Sequence, residues 1–317
     1  MKKVSIYVAA ALLAAVFVSA AGAAAPRLKV ALTFDDLPLN GILPADVKES
    51  DIARDTIKVL KKYRIPPSYG FINADKLERN PDGAKALQIW VAGGHPLASH
   101  TYTHLDLTKN SAEDFQREIL RNEPVLELLM APDAIGGVGK HDWRWLRYPY
   151  LHEGETLEKR RAVRAFLAGN GYRVAQTTMD FEDYLWNSAH ARCVQKKDAE
   201  SIAWLRESYR KAAREFIRLD ITNSRAVFGR DIHHVMLLHL GSFSSHILPD
   251  LFQILDEEGF DIVTLEEAQK DPAYDYDPDV AAPRGGTLVE LAMEAKKTPW
   301  PPNQPSKPRE RLVSICN

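Results

Sequence analysis

Residues 28–36 read LKVALTFDD, and residues 100–104 read HTYTH. The first stretch is an apolar run of strand length that ends in two adjacent carboxylates, Asp35 and Asp36. The second stretch carries two histidines separated by three residues, which can bind one ion if the chain between them makes a helical turn. One carboxylate and two imidazoles would form a three-ligand site with a position left open for water. The second carboxylate would remain available for proton transfer.

Each motif taken alone also has a purely structural interpretation. Adjacent aspartates before Leu37 and Pro38 fit a turn or a helix cap. Most isolated His-x-x-x-His pairs in soluble proteins lie on the surface or serve the fold. The metal interpretation is favoured here because the carboxylates follow a run that reads as a buried strand, while the histidines follow a second strand near residues 95–99.

Short apolar runs alternate with helical patterns along the rest of the chain. Further strands are predicted near residues 68–72, 95–99, 143–147, 172–178, 233–240 and 261–264. Helices are predicted near residues 50–63, 84–92, 112–130, 156–167, 199–219 and 245–258. This alternation predicts an α/β fold with a parallel sheet and crossover helices. About seven such units can curl into a distorted (β/α)7-8 barrel.

Polar residues recur at one kind of position in this scheme, at or just beyond the carboxyl ends of the predicted strands. They are Asp36, His100, Arg147, Asp180 and His239. In a barrel of this type, the carboxyl ends of the strands form the catalytic rim. The sequence therefore predicts that these side chains meet at one mouth of the barrel.

The two ends of the chain differ in character from the middle. Lys2 and Lys3 precede an apolar run that ends in small residues, so residues 1–25 are predicted to be a secretory signal peptide. An uncleaved membrane anchor is the alternative. Residues 26–270 are assigned to the barrel, and residues 271–317, with eight prolines, to an irregular surface tail. The protein is therefore expected to be exported, to the periplasm or out of the cell.

The overall charge narrows the classes of partner. A formal net charge of −2 provides no electrostatic footprint for nucleic acid. No polybasic or amphipathic stretch beyond residue 25 indicates a membrane surface, so an uncharged polymer is the more suitable partner. The chain has two cysteines, Cys193 and Cys316, and an exported protein could hold them as a disulfide. The sequence leaves this pairing open and gives no indication of the oligomeric state.

Four motifs occur in an order that is typical of one family: TFDD at 33–36, HTYTH at 100–104, RYPY at 147–150 and LLH at 237–239. On these motifs, the chain resembles the polysaccharide deacetylases with a NodB homology domain, carbohydrate esterase family 4. The resemblance extends from about residue 28 to residue 268. It implies a distorted barrel and an enzyme that removes acetyl groups from glycans.

The chain departs from the family pattern at several places. Leu37 and Leu151 stand where the family usually has glycine. The family motif that is commonly Asp-x-x-Asp-Trp reads DFEDY at 180–184, so Tyr184 replaces a tryptophan. These changes bear on loop shape and substrate contacts more than on the chemistry.

The resemblance implies that Asp36, His100 and His104 bind a divalent metal. Zinc is the first expectation, and cobalt, nickel and manganese are compatible with the same ligands. Asp35 would take a proton from the attacking water, and Arg147 would keep Asp35 charged and oriented. A surface ion pair is the alternative interpretation of Arg147.

The resemblance also implies that His239 is the general acid and that Asp183 holds its imidazole in the useful tautomer. Without the other motifs, a histidine in the apolar run 235–240 would be interpreted as a core residue. The backbone N–H of Tyr150 would help to stabilise the oxyanion. Four residues are expected to contact the substrate, although simple packing explains them equally well: Tyr150, Tyr184, Leu237 and Trp186.

These inferences together predict an exported, metal-dependent hydrolase that removes N-acetyl groups from a glycan. Peptidoglycan, a chitin-type oligomer and an exopolysaccharide are all compatible substrates. Two alternatives stay open. The same site could cleave O-acetyl esters of a plant polysaccharide, and a protein with the same fold could bind glycans without turnover.

Overall fold

The computed structural model describes residues 26–317, so the predicted signal peptide at 1–25 lies outside the described residues. The strands are β1 (Leu28–Asn40), β2 (Gly70–Ile72), β3 (Leu97–Ser99), β4 (Trp145–Leu146), β5 (Arg173–Val174), β6 (His234–Gly241) and β7 (Phe260–Val263). The helices are α1 (Glu49–Lys62), α2 (Asp75–Arg79), α3 (Asp82–Ala92), α4 (Ala112–Leu129), α5 (Leu157–Gly169), α6 (Tyr184–Gln195), α7 (Ala199–Phe228), α8 (Ser244–Glu257), α9 (Leu265–Ala268), α10 (Leu288–Lys296) and α11 (Arg309–Ser314). From residue 26 onward, no helix combines the length and apolar character needed to cross a bilayer.

The strands form one parallel sheet in the order β5-β4-β3-β2-β1-β6, and β7 also pairs with β1. Beyond β5, the chain turns to the free side of β6. The backbone N–H groups of Thr178 and Met179 donate to the Val235 carbonyl at 2.9 and 3.1 Å, and the Leu237 N–H donates to the Met179 carbonyl at 3.0 Å. The sheet therefore curls back on itself, which confirms the predicted α/β fold of the barrel type.

Strand β1 pairs with β2, β6 and β7, and its side chains alternate between two environments. Leu32 and Phe34 pack under the helices, where the Phe34 ring lies 5.3 Å from that of Trp90. Ala31 faces the opposite way and belongs to the small cluster that fills the barrel interior. Because side chains alternate along a strand, Asp35 faces the interior with Ala31. The sequence of β1 thereby directs one carboxylate into the barrel mouth.

Helix α7 is 30 residues long and extends nine residues beyond its predicted end at 219. It begins at a cap in which the Asp198 side chain accepts from the Ser201 N–H, and it ends at Gly229, which adopts the left-handed conformation with φ 70°. Arg206 and Arg210 pair with Asp250 of α8. These contacts fix one face of α7 against the barrel.

The prediction of an irregular tail over 271–317 is wrong for two segments. Helix α10 begins with a capping box formed by Thr287 and Glu290. Its apolar residues Leu288, Leu291 and Met293 are buried. The prolines lie outside α10 and α11, so they separate the two helices without interrupting either of them.

A disulfide joins Cys193 of α6 to Cys316, directly after α11. The sequence left this pairing open, and the structure has it formed. Arg192, next to Cys193, also donates to the carbonyls of Leu312 and Ile315 at 2.7 and 3.1 Å. The end of the tail is therefore held on α6, the helix that follows the DFEDY motif.

Candidate active site

A cleft of about 580 Å³ opens at the carboxyl ends of the strands. Nine of the residues predicted from the sequence line it: Asp35, Asp36, His100, His104, Tyr150, Asp180, Tyr184, Leu237 and His239. Arg147 and Asp183 lie directly behind this surface, each in contact with a lining residue. The structure thus brings together residues from distant parts of the chain at one barrel mouth.

Three of these side chains converge on a common centre. The ligand atoms of Asp36, His100 and His104 all lie within 4.8 Å of one another. The Asp36 Oδ1 atom is 3.4 Å from His104 Nε2 and 3.9 Å from His100 Nε2. One carboxylate oxygen and two imidazole nitrogens at this separation match the donor set of a three-ligand site for a divalent metal.

Neighbouring groups orient these donors toward the centre. The His100 Nδ1 atom lies 2.8 Å from the Arg147 carbonyl oxygen, which can only accept, so Nδ1 carries the proton and Nε2 presents its lone pair. Burial lowers the pKa of both His100 and His104 to about 4, which keeps them neutral. The Asp36 Oδ2 atom accepts from Asn40 Nδ2 at 2.8 Å, which leaves Oδ1 for the ion. The residues present therefore fit a divalent metal.

The loop that carries the histidines is not the helical turn that their spacing suggested. Thr101 and His104 adopt the left-handed conformation, with φ 63° and 61°. Asn73 Nδ2 donates to the His100 carbonyl at 2.7 Å, and the Thr103 N–H donates to Glu118 Oε2 at 2.6 Å. The histidines converge because these hydrogen bonds hold an irregular loop.

Asp36 also has a left-handed backbone, with φ 67°, and a cation beside its carboxylate. Lys76 of α2 donates to the Asp36 carbonyl at 2.8 Å and lies 3.5 Å from Oδ1. Burial by itself would raise the pKa of Asp36, but Lys76 and then His104 outweigh it and hold this pKa well below its usual range. Asp36 is therefore ionised and ready to bind a cation.

The second carboxylate, Asp35, is paired with a buried arginine. Arg147 Nη1 lies 3.3 Å from Asp35 Oδ2, and both side chains are buried. Arg147 also donates through Nε to the Ala175 carbonyl at 2.6 Å and through Nη2 to Thr33 Oγ1 at 3.0 Å. Burial raises the pKa of Asp35, and Arg147 opposes this rise. Arg147 is therefore not the surface ion pair of the alternative interpretation.

His239 faces the same cleft from β6. Its Nδ1 atom lies 2.7 Å from Asp183 Oδ1, and its backbone N–H donates to Asp183 Oδ2 at 2.9 Å. Burial would lower the pKa of His239, but Asp183 outweighs this effect, and the pKa is raised to about 9. The imidazole is therefore protonated at neutral pH, and its Nε2 atom takes no part in the contact with Asp183. Such a group can act as a general acid.

The predicted substrate contacts separate into two groups. Tyr150 is 58% exposed with its ring 4.5 Å from His104, and Tyr184 is 37% exposed with its ring 5.2 Å from His239. Leu237 lies on the floor of the cleft. The prediction for Trp186 is wrong, because its side chain is fully buried and its Nε1 donates to Ser208 Oγ at 2.9 Å. The phase of α6 turns this residue toward α7, away from the cleft.

The departure from the family pattern at position 151 has a structural counterpart. Tyr150 and Leu151 both adopt the left-handed conformation, with φ 58° and 57°. A leucine therefore holds a backbone shape that glycine adopts more readily, and such residues cost on the order of 1–3 kcal/mol each. Contacts with the surrounding residues therefore hold this loop, beside the candidate metal ligands, in a conformation that its own residues disfavour.

Several lining residues were not among the site residues predicted from the sequence: Asn40, Lys76, His152, Glu182 and Arg284. Glu182 pairs with Lys307 and Arg309 of the tail. The tail therefore reaches the edge of the cleft. Of these five residues, Glu182 alone lies inside a motif that the sequence analysis recognised, DFEDY.

Comparison with known proteins identifies similar sequences. Residues 22–175 match the model of the polysaccharide deacetylase family. The chain is similar to the peptidoglycan-N-acetylglucosamine deacetylase of Bacillus cereus, with 24% identity over 165 residues that cover 51% of this chain and 49% of that protein. It is also similar to the chitooligosaccharide deacetylase of Sinorhizobium fredii, with 29% identity over 129 residues that cover 41% and 49%. The chain thus spans about half the length of the curated relatives it matches.

A solved structure shares the architecture. The chitin deacetylase from the fungus Colletotrichum lindemuthianum aligns with a TM-score of 0.51 and 20% sequence identity, covering 77% of this chain and 88% of that chain. At this level of identity the likeness concerns the fold alone. It agrees with the curled parallel sheet described above.

Proposed function

We propose that the protein is an exported, metal-dependent hydrolase that removes N-acetyl groups from a glycan, because residues 22–175 match the model of the polysaccharide deacetylase family. One observation carries the proposal: the ligand atoms of Asp36, His100 and His104 converge, and Asp35 and His239 line the same cleft. A candidate base and a candidate acid thus lie beside one candidate metal site.

Asp36, His100 and His104 would hold the metal. When bound, a divalent ion of this kind lowers the pKa of a coordinated water and polarises the acetyl carbonyl. Zinc suits two imidazoles and one carboxylate, and cobalt, nickel or manganese could occupy the same ligands. Asn40 would fix the orientation of the Asp36 carboxylate through its Nδ2 contact with Oδ2.

Asp35 accepts the proton of the attacking water as the oxygen bonds to the acetyl carbon. Arg147 keeps the Asp35 carboxylate ionised and oriented through its contacts at 3.3 and 3.4 Å. The N–H of Tyr150 would donate to the oxyanion that develops on the acetyl oxygen. The tetrahedral intermediate then loses the amine when the C–N bond breaks.

His239 donates the proton that the leaving nitrogen needs. Its Nδ1 atom is held by Asp183, so Nε2 is the nitrogen that can serve the cleft. The products are acetate and a glycan that carries a free amine. Leu237 would line the pocket for the acetyl methyl group, while Tyr150 and Tyr184 would contact the sugar.

The names of the relatives support an N-acetylglucosamine polymer, since they act on peptidoglycan N-acetylglucosamine and on chitooligosaccharide. The signal-like sequence at 1–25 supports export. The disulfide between Cys193 and Cys316 is consistent with an oxidising compartment.

Two alternatives predict different behaviour at His239. An O-acetyl esterase expels an alcohol, which leaves more readily than an amine and depends less on a general acid. The contact of 2.7 Å between His239 and Asp183 favours amide cleavage, because it supplies a proton donor at neutral pH. A glycan-binding protein without turnover would require neither Asp35 nor His239 in these protonation states.

Acetate release from a panel of acetylated glycans tests the proposal. The panel comprises peptidoglycan, N-acetylglucosamine oligomers and acetylated xylan, each with and without a chelator. The wild type should release acetate from N-acetylated substrates, and both the chelator and Asp36→Ala should abolish this activity. Release that is unaffected by the chelator and by the substitution would overturn the proposal.

A further inference from the structure

A second cavity of about 720 Å³ adjoins the active-site cleft. The two share lining residues, among them Tyr150, Asp180 and Arg284. The far walls of the second cavity come from α7 and from the tail between residues 282 and 307. These walls lie after residue 175, beyond the part of the chain that matches the family. The second cavity is therefore built largely by segments that lie outside this match.

One face of α7 turns toward this cavity. Phe216, Leu219, Asp220 and Asn223 line it, at the spacing of residues that share a helix face. Asn223 is 2% exposed, and its Oδ1 atom has no hydrogen-bond partner anywhere in the described part of the chain. A buried, unpaired amide oxygen costs on the order of 1–3 kcal/mol. A ligand that donates a hydrogen bond at this point would remove that cost.

The surrounding groups suit the hydroxyl groups of a sugar. Burial, then Glu290 and Asp180, raise the pKa of Asp220 well above its usual range, which favours the protonated carboxyl, a group that can donate as well as accept. Arg284 adds a donor at the boundary between the two cavities. Trp300, which is 47% exposed, presents an aromatic surface at the same cavity.

We propose that this second cavity, which we name the tail cavity, binds the sugar residues that neighbour the one being deacetylated. The inference rests on the proposed function, because the tail cavity continues from the cleft in which the acetyl group would be cleaved. Asn223 Oδ1 accepts from a sugar hydroxyl, and Trp300 packs against a sugar face. The protein therefore prefers oligomers long enough to occupy both cavities.

The test is the dependence of kcat/KM on chain length, with N-acetylglucosamine oligomers from the dimer to the hexamer. Wild type should act better on longer oligomers. Asn223→Ala and Trp300→Ala should each lower kcat/KM for the hexamer by about threefold to tenfold, which is the effect of losing one hydrogen bond or one stacking contact. For the dimer, kcat/KM should change little. Thr222→Ala is the matched control, because Thr222 is the exposed neighbour of Asn223 on α7 and does not line the tail cavity.

A thermal melt separates a binding role from a structural one. Asn223→Ala removes an unpaired buried polar atom, so the Tm of the free protein should stay the same or rise. Equal chain-length profiles in wild type and both variants would overturn the tail cavity as a subsite and leave the proposed function intact. Absence of acetate release from every oligomer by wild type would overturn the proposed function, and this inference with it.

Discussion

Asp35 of β1 and His239 of β6 are register partners on adjacent parallel strands. Partners in register point to the same face of a sheet, so the candidate base and the candidate acid flank one point in the barrel mouth. Their separation is fixed by the spacing of two buried strands rather than by loops. The chemistry proposed for this site therefore depends on two hydrogen-bonded strands of the sheet.

Asn40→Ala should weaken metal binding by about 10-fold to 100-fold, because Asn40 holds the Asp36 carboxylate and the loss of a group that hydrogen-bonds to a metal ligand typically has an effect of this size. Calorimetric titration of the metal-free protein with zinc would measure the affinity. Asn170→Ala, at an exposed asparagine after α5, is the control. Unchanged affinity in Asn40→Ala would contradict the role assigned to Asn40.

His239→Ala should lower the rate of N-acetyl cleavage by about a hundredfold to ten-thousandfold, the usual contribution of a general acid. Cleavage of an activated acetate ester should fall much less, because its leaving group needs no proton. The ratio of the two rates in one protein preparation cancels errors in the active fraction. An equal loss on both substrates would show that His239 acts in some other way.

Asp183→Asn should shift the alkaline limb of the pH–rate profile. The acid must be protonated, so the activity of wild type should fall as the pH rises through about 9, the raised pKa of His239. Without the charge of Asp183 this pKa should fall toward the ordinary value of about 6.5, and the limb should move with it. The profile of kcat measures the shift, and an unmoved alkaline limb would rule out the pairing as its cause.

Arg147→Lys should move the acidic limb of the pH–rate profile to higher pH. Asp35 must be ionised to act as a base, burial raises its pKa, and Arg147 counteracts this rise. The guanidinium group of Arg147 contacts Asp35, Thr33 and the Ala175 carbonyl at once, and a lysine ammonium group cannot make all three contacts. The pKa of Asp35 should therefore rise, and the acidic limb should follow it. A Tm measured in parallel separates this effect from unfolding. A loss of activity at all pH values with no shift would argue against a pKa effect.

Cys316→Ser should destabilise the protein by about 2–4 kcal/mol, because it opens a disulfide that closes a long loop. Chemical denaturation would give the free energy of unfolding. The same substitution should reduce activity on the hexamer more than on the dimer if the tail carries a substrate subsite. Equal stability of wild type and variant would show that the tail is held by its other contacts alone.

The sequence predicted those parts of the fold and site that follow from local pattern. The alternation of strands and helices predicted the parallel sheet, and polar residues at strand ends predicted the cleft. Asp36, His100 and His239 could be placed in this way because each follows a long apolar run or a recognisable motif. β4 and β5 have two residues each and lie inside the longer strands predicted near residues 143–147 and 172–178.

Other features depend on tertiary contacts and left no local signal. Lys76 reaches Asp36 from a five-residue helix, and Arg284 reaches the cleft from a segment rich in proline and glycine. Trp186 was misassigned because a sequence gives the residues of a helix without the direction in which each one faces. The helices of the tail were missed because prolines between them masked their short apolar patterns.

The loop that carries His100 and His104 is held by Asn73 and Glu118, so protein contacts maintain its shape. Stripping the ion should leave the ligand geometry in place. The metal-free protein can then be reconstituted with a series of ions that all bind to the same arrangement of ligands. Differences in turnover across that series would report the chemistry of each ion rather than a different fold around it.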